Sequence, residues 1–498
     1  MIRKLSRGAL FSRCAACRHQ KSAPSGPPAP ATSATSRNTS TSHGEFGSFG
    51  NNSAPLETLL AASDSDFEAL FEGLYPFSRN EFVRPCRLGP HLRNDLFTID
   101  ETFTFVNHGA FGAAILPAQE AARHWRKRAE AQPLRFTDRE LLPALALSTR
   151  RLAKFLRIGE PSSVALTQNA TTGLNAVIGS LADSHRGDRR EAVVLSTGYG
   201  SVKRMLSRHG YAVSTAELSL GDGVLTPERV IEAISDAIDG LSSPEQCLVI
   251  VDHITSNSAA KMPVEEILAV ARDKNVFALL IDGAHGPGQL DLSVDRLLTP
   301  PPGSANSSTK VFYVGNCHKW LCCPRGSGFL YAPSRDGRSM LKPPVVSHGF
   351  GTGFASSFVW DGSRDYGSAL SIPSCLDFWE RSLKGGRGAL DEYCRDLLED
   401  AEELFADAWH VEPAEALFDQ TMKAPMMSMV KLPKCWDGWG ASEVQNYLFS
   451  NNIECPIKEI CSSLYARVSV HIYNDINDYA RLADVLSRPP DLSRGALK

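Results

Sequence analysis

Short apolar runs of buried-strand composition recur through the middle of the chain. They open Val164–Gly173, recur at Val193–Leu195, Leu248–Val251 and Phe277–Ile281, and return in Val311–Trp320. Each gives way to polar residues. Between them the hydrophobic period changes to that of a helix. Thr226 and Pro227 supply an N-cap and a first-turn proline, after which Val230, Ile231, Ile234 and Ile238 fall on one face. Val264, Ile267, Leu268 and Ala271 do the same after Pro263, and Leu174–Leu181 is also helix-like. Strand alternating with helix predicts parallel crossovers, hence an α/β fold with a mostly parallel, doubly wound sheet. Ligands bind such sheets outside the carboxyl ends of the strands. The polar residues that follow the runs should therefore converge on one crevice: Asn169 to Thr172, Thr197 to Tyr199, Asp252 to Ser256, and Asp282.

Three of these segments carry distinctive chemistry. Lys319, in VFYVGNCHKW, sits where an apolar strand meets polar surroundings. Partial burial disfavours the ammonium form and leaves an amine able to condense with an aldehyde as a Schiff base. The plainer alternative is a basic turn beside a packed indole. Asp282, at the end of FALLID, could pair with the protonated pyridine nitrogen of pyridoxal phosphate (PLP), keeping that ring an electron sink. It could equally cap the Asp-Gly turn. Asn169, Ala170, Thr171 and Thr172 precede a helix, where free N–H groups and hydroxyls suit a phosphate; taken singly, Thr171 reads as an N-cap.

The run of motifs NHGAFG (107–112), QNATTG, STGYGSVK, DHITS, IDGAHGPG, GNCHKWL, SHGF (347–350), WDGSRDY (360–366) and YARVSVHIYN (465–474) resembles the class V aminotransferase family of PLP fold type I. Within it the chain resembles the branch of isopenicillin N epimerases and cysteine desulfhydrases. The resemblance covers roughly Phe103 to Leu486. It implies a large PLP-binding domain (101–365, with 101–130 able to pack on the small domain) and a small α+β C-terminal domain (366–488), followed by a tail (489–498). It also implies roles for particular residues. Lys319 would hold the cofactor and move the Cα proton, and Asp282 would pair with the ring nitrogen. His285 and Ser256 would lie near the ring oxygen, Tyr199 would stack on the ring, and Asn169, Ala170, Thr171 and His318 would hold the phosphate. Arg467 would clamp the substrate carboxylate, for which a planar guanidinium is suited. Asn107, His108 and Gly109 would line the substrate mouth, a satisfied structural role being the plainer alternative for His108. Relatives usually carry Gly-Thr-x-Asp where this chain has Gly362-Ser363-Arg364-Asp365. That motif reaches the phosphate across a dimer interface, so Ser363 and a homodimer are expected, with the serine keeping the hydroxyl and losing the methyl.

Composition narrows the alternatives. The chain has 498 residues, 43% of them hydrophobic, enough for a large core in two domains. A net charge of −4 offers no general basic field for nucleic acid. No apolar run is long enough to span a bilayer. The 12 cysteines are scattered and show no disulfide framework, and the lone CxxC of Cys14 and Cys17 has no second pair, so no metal site is expected. Residues 1–44 contain no acid and place Ile2, Leu5 and Ala9 opposite Arg3, Lys4 and Arg7, the pattern of a mitochondrial presequence. The alternative is a basic extension without an address on a cytoplasmic protein. Residues 45–100 read as a linker and N-terminal arm containing a helix over Asp64–Gly73.

The expected reaction begins with an amino acid displacing Lys319 and losing its Cα proton. Elimination of a β-sulfur, epimerisation and transamination all proceed from that state. Cβ–S lysis of cysteine or a derivative is the favoured expectation, by analogy with the family branch. Cys455 and Cys461, the thiols nearest Arg467 in sequence, lack the loop expected of a sulfur-accepting cysteine. A non-catalytic scaffold on the same fold is the alternative of another class, and the presence of Lys319 and Asp282 weighs against it.

Overall fold

The inner strands of the central sheet are largely apolar because both of their faces are covered, whereas the edge strand Tyr211–Ala216 is partly exposed. In the computed structural model, which describes residues 55–71, 87–184, 190–220, 223–299, 308–410 and 417–490, this sheet has seven strands. They are β1 (Val164–Thr167), β2 (Arg190–Leu195), β3 (Tyr211–Ala216), β4 (Leu248–Asp252), β5 (Ala278–Gly283), β6 (Lys310–Asn316) and β7 (Gly328–Tyr331), in the order β1-β7-β6-β5-β4-β2-β3. All neighbouring pairs from β6 to β3 are parallel, and β7 runs antiparallel to both of its partners. The mostly parallel α/β fold is thus as expected. The expected presequence (1–44), Cys14, Cys17 and the segment 76–82 of the arm lie outside the described residues.

Helices framing this sheet and its neighbour include α1 (Leu116–Ala131), α2 (Leu141–Phe155), α3 (Ala170–Ser184), α4 (Gly200–Arg208), α5 (Pro227–Asp239), α6 (Val264–Asp273), α7 (Ile372–Arg381), α8 (Gly386–Trp409) and α9 (Ile476–Leu486). The two-residue period of the strands divides their side chains between two cores. Val193, Val249, Val251, Leu279 and Ile281 join the core that contains Val230 and Ile234 of α5 and Ile267 and Leu268 of α6. Val194, Ile250, Leu280 and Val314 join the one that contains Leu174 and Ile178 of α3 and Val202 of α4. Thr226 caps α5 as its sequence implies, its hydroxyl accepting from the Arg229 N–H at 3.4 Å.

Some boundaries differ from expectation. Helix α3 starts at Ala170, four residues before the expected Leu174. Its cap is Asn169, whose Oδ1 accepts from the Thr172 N–H at 2.9 Å and from the Thr172 hydroxyl at 3.2 Å. Thr171 therefore lies inside the first turn. The helix expected over Asp64–Gly73 is described over Asp64–Phe71.

A second sheet is antiparallel, ordered β9-β10-β8, from β8 (Met427–Lys431), β9 (Ile457–Ile460) and β10 (Ser463–Ser469). A two-residue parallel pairing of Thr104–Phe105 with Ile453–Glu454 brings the NHGAFG segment to this sheet. The Ser469 N–H then donates to the Val106 carbonyl at 2.8 Å. Helix α7 packs on α1 and α2, and α8 packs on α9. The described residues all belong to one compact unit.

Candidate active site

Lys319 lies three residues past β6, at the carboxyl edge of the parallel strands. Gly112 allows the close approach that shapes this turn: its φ is +66°, and a Cβ there would fall 1.9 Å from the His318 carbonyl oxygen. Lys319 is half-buried, with Nζ 2.9 Å from Nε2 of His285. Desolvation brings its pKa down to about 8, against the pull of Asp282 in the other direction. Nδ1 of His285 accepts from the Trp320 indole N–H at 3.3 Å. Burial, then the Lys319 charge, hold His285 well below the usual histidine range.

Asp282 and Asp252 are register partners on β5 and β4, and both are buried. Asp282 accepts a hydrogen bond from the Ala284 N–H at 3.0 Å. Burial raises both carboxyls, Asp282 pushes Asp252 up further, and the Lys319 charge opposes the rise in each. Next along β4, His253 points elsewhere, with Nδ1 3.0 Å from the Tyr313 hydroxyl.

Arg467, on β10, is 3% exposed. Its Nη1 donates to the Ser256 carbonyl and, at 3.3 Å, to the Ser256 hydroxyl, while Nη2 donates to Asn107 Oδ1 at 3.3 Å. Its Nε is buried without a hydrogen-bond partner among the described residues. Desolvation lowers its pKa to about 10. The structure thus joins Asn107, Ser256 and Arg467 in one constellation, in which Ser256 supports the guanidinium. The Nδ2 of Asn107 is held by Glu454 at 3.2 Å.

At the start of α3 the Ala170 N–H, expected to face a phosphate, donates to the Asn316 side chain at 2.9 Å. Asn316 was missed in the sequence, although its place at the end of a buried strand was a signal. Thr171 is exposed at the helix start. His318 Nδ1 lies 3.2 Å from the Ser327 carbonyl, to which it must donate. Its Nε2 could therefore donate to an anion only from the imidazolium form, which burial disfavours by lowering the pKa to about 4. Tyr199 is 40% exposed at the N-cap of α4. Ser363 is exposed, and its neighbour Asp361 accepts from the Gln168 amide at 2.7 Å, tying this segment to the residue before Asn169.

His108 and Gly109 face the opposite side of the lysine segment. His108 is fully buried. Its Nε2 lies 3.0 Å from the Lys319 carbonyl and its Nδ1 2.8 Å from the Tyr473 hydroxyl. The carbonyl can only accept, so Nε2 donates and Nδ1 accepts, leaving the ring no lone pair for a substrate or an ion. His108 is thus placed behind the lysine segment with both ring nitrogens engaged. Cys322 and His471 complete this group, the rings of His108 and His471 stacking at 4.0 Å and 20°. Gly109 is a close-packing glycine, since a Cβ there would lie 2.6 Å from Met427 Sδ. Cys455 is buried, its thiol pushed up to about 12 by desolvation. Cys461 sits in the β9–β10 turn, its thiol directed at the Leu220 carbonyl.

These residues fit a PLP site. The crevice holds a lysine amine, a buried carboxylate that would welcome a positive N–H, and a buried cation with an N–H to spare for an anion. Residues 143–350 match the family model Aminotransferase class-V. An L-cysteine desulfhydrase of Arabidopsis thaliana is 29% identical over 413 residues, covering 77% of this chain and 87% of its own length. An isopenicillin N epimerase of Streptomyces clavuligerus is 29% identical over 412 residues, covering 78% and 95%. Among solved structures, an apo cysteine desulfurase from Thermococcus onnurineus NA1 superposes with a TM-score of 0.62 at 18% identity, covering 81% of this chain and 98% of that one. That likeness concerns the fold.

Proposed function

We propose, from the match of residues 143–350 to the class V aminotransferase family, a PLP-dependent enzyme that removes the β-sulfur of cysteine or a cysteine derivative. The observation that carries this reading is the gathering of Lys319 and Asp282 at the carboxyl edge of the central sheet with Arg467 of the second sheet, near enough for both charges to act on the lysine. When bound, PLP supplies an aldehyde for an amine and a ring that accepts an electron pair. Asp282 would hold the ring nitrogen's proton, its carboxylate being favoured by the Ala284 N–H and by the Lys319 charge. Arg467 would bind the substrate carboxylate, which would satisfy its free Nε and compensate its desolvation. The Lys319 amine would take the proton from the substrate Cα, its lowered pKa making the free base far more accessible near neutral pH than in an ordinary lysine. Thr171 and Ser363, with His318 if protonated, would hold the phosphate, and Tyr199 would cover the ring. His285 would lie at the ring oxygen.

For cysteine, the balanced outcome is uptake of water and release of sulfide, pyruvate and ammonia. The test is a product screen of the PLP-loaded protein over cysteine and its thioether and disulfide derivatives. Sulfide or thiol with equimolar pyruvate is expected. A D-amino acid as the sole product would assign epimerisation instead, the activity named for the Streptomyces relative.

The same reading includes assembly. Ser363 is exposed on a segment tied to the helix start through Asp361 and Gln168, which supports a two-fold homodimer with Ser363 serving the partner's phosphate. PLP should then strengthen the dimer in sedimentation. Ser363→Ala should weaken PLP binding by about 1 kcal/mol. A monomer saturated with PLP and fully active would exclude this arrangement.

A further inference from the structure

Trp320 follows the reactive lysine in sequence but turns into the core, where it is 1% exposed. An indole N–H can only donate a hydrogen bond. Its acceptor among the described residues is His285 Nδ1, at 3.3 Å, and His285 is itself 2% exposed. A neutral imidazole carries one proton, and with Nδ1 accepting, that proton must be on Nε2. Nε2 stands 2.9 Å from Lys319 Nζ. Two donors cannot share this contact, so the lysine nitrogen must present its lone pair.

We propose that Trp320 is a positioning residue that fixes the tautomer of His285, so that Nε2–H donates to Lys319 Nζ and favours the lysine's free-amine form before the cofactor arrives. The same Nε2–H is the donor that a phenolic ring oxygen needs afterwards. Other groups act on the pair. Asp282 and Asp252 favour the ammonium form of Lys319, and Arg467 opposes it. Lys319 and Arg467 both keep His285 neutral. Behind Trp320, the rings of His108 and His471 pack against the indole, and burial holds both neutral. With those charges constant, losing the indole N–H frees Nδ1 to take the proton. Nε2 then becomes an acceptor, which stabilises the ammonium and raises the lysine's pKa.

The inference rests on Lys319 being the reacting amine, yet it can be tested without turnover. Full-length protein freed of PLP would be compared with Trp320→Phe and with Trp320 replaced by 3-benzothienylalanine, which keeps the indole shape and exchanges the N–H for sulfur. Side-chain ¹⁵N resonances of His285, assigned through His285→Asn, report the tautomer. Reductive methylation of Lys319, followed by peptide mass against pH, reports the free amine. In the natural protein the proton should be on Nε2 and the methylation midpoint at about 8. In the benzothienyl protein the proton should move to Nδ1 and the midpoint rise by about one unit, roughly a tenfold loss of free amine below it. Trp320→Phe should shift the midpoint the same way. A benzothienyl protein with an unchanged tautomer and midpoint, or a natural protein with its proton on Nδ1, would overturn the proposal. Failure of the functional reading would look different: no visible band on adding PLP and no sulfide, whatever the tautomer.

Discussion

The segment from His318 to Cys322 has two sides, and they are built on opposite rules. In front of it, Lys319 Nζ, Asp282 and Arg467 act on one another with bonding capacity left over: an amine with a lowered pKa, a buried carboxyl with a raised one and a guanidinium N–H unpartnered among the described residues. Behind it, His108 spends both ring nitrogens on the Lys319 carbonyl and Tyr473 and stacks on His471. Both sides are rich in titratable groups. Only the front carries unpaired charge, and a buried charge without a partner is expensive unless a ligand completes it. The back is neutral, because desolvation lowers His108 to about 4 and His471 well below its ordinary value. A cluster of histidines is thus not a site by composition; spare capacity makes one. His471 Nδ1 is buried without a partner on the back, but an unmet neutral acceptor costs far less than an unmet cation.

Substitutions on the two sides should separate activity from stability. The largest effect is expected in front. Lys319→Ala should lower sulfide release by roughly a thousandfold or more, since it removes both the amine that links the cofactor and the base. Circular dichroism should stay unchanged, and substantial turnover in this variant would sink the assignment. Arg467→Lys should reduce kcat/KM for cysteine by about 10–100-fold, because an ammonium loses the paired N–H geometry. Its loss should fall mainly on KM, and an equal loss for a substrate lacking the carboxylate would show that the arginine only supports the fold. On the back, His108→Phe strands the Lys319 carbonyl and the Tyr473 hydroxyl. It should cost about 1–3 kcal/mol for each group in denaturant unfolding, with kcat/KM within a few-fold of the natural protein. Intact stability with lost activity would place His108 in the chemistry after all.

Much of the front was legible beforehand. Hydrophobic runs with polar ends marked β1, β2, β4, β5 and β6, since strands covered on both faces must be continuously apolar, and ligand-facing residues then follow their carboxyl ends. Lys319 and Asp282 stood out for that reason. The phosphate end was read less well. The sequence offers Ala170 as a free N–H, yet Asn316 occupies it, and Asn169 replaces Thr171 as the cap. Both residues carry amide side chains at strand ends, and no local rule says which backbone group such a side chain will bind.

The order of strands and helices, the residue types at the strand ends and the basic, acid-free first 44 positions belong to the sequence alone, because period and composition are local properties. Which histidine faces the lysine amine and which its carbonyl belongs to the tertiary structure. His285 reaches Lys319 from 34 positions away, His108 from 211, and Arg467 meets Ser256 across another 211. Such partners are chosen by how the sheet, its crossovers and the second sheet pack, and each choice also decides where a proton sits. Side-chain chemistry is written residue by residue, but spare bonding capacity exists only after every neighbour has taken its share.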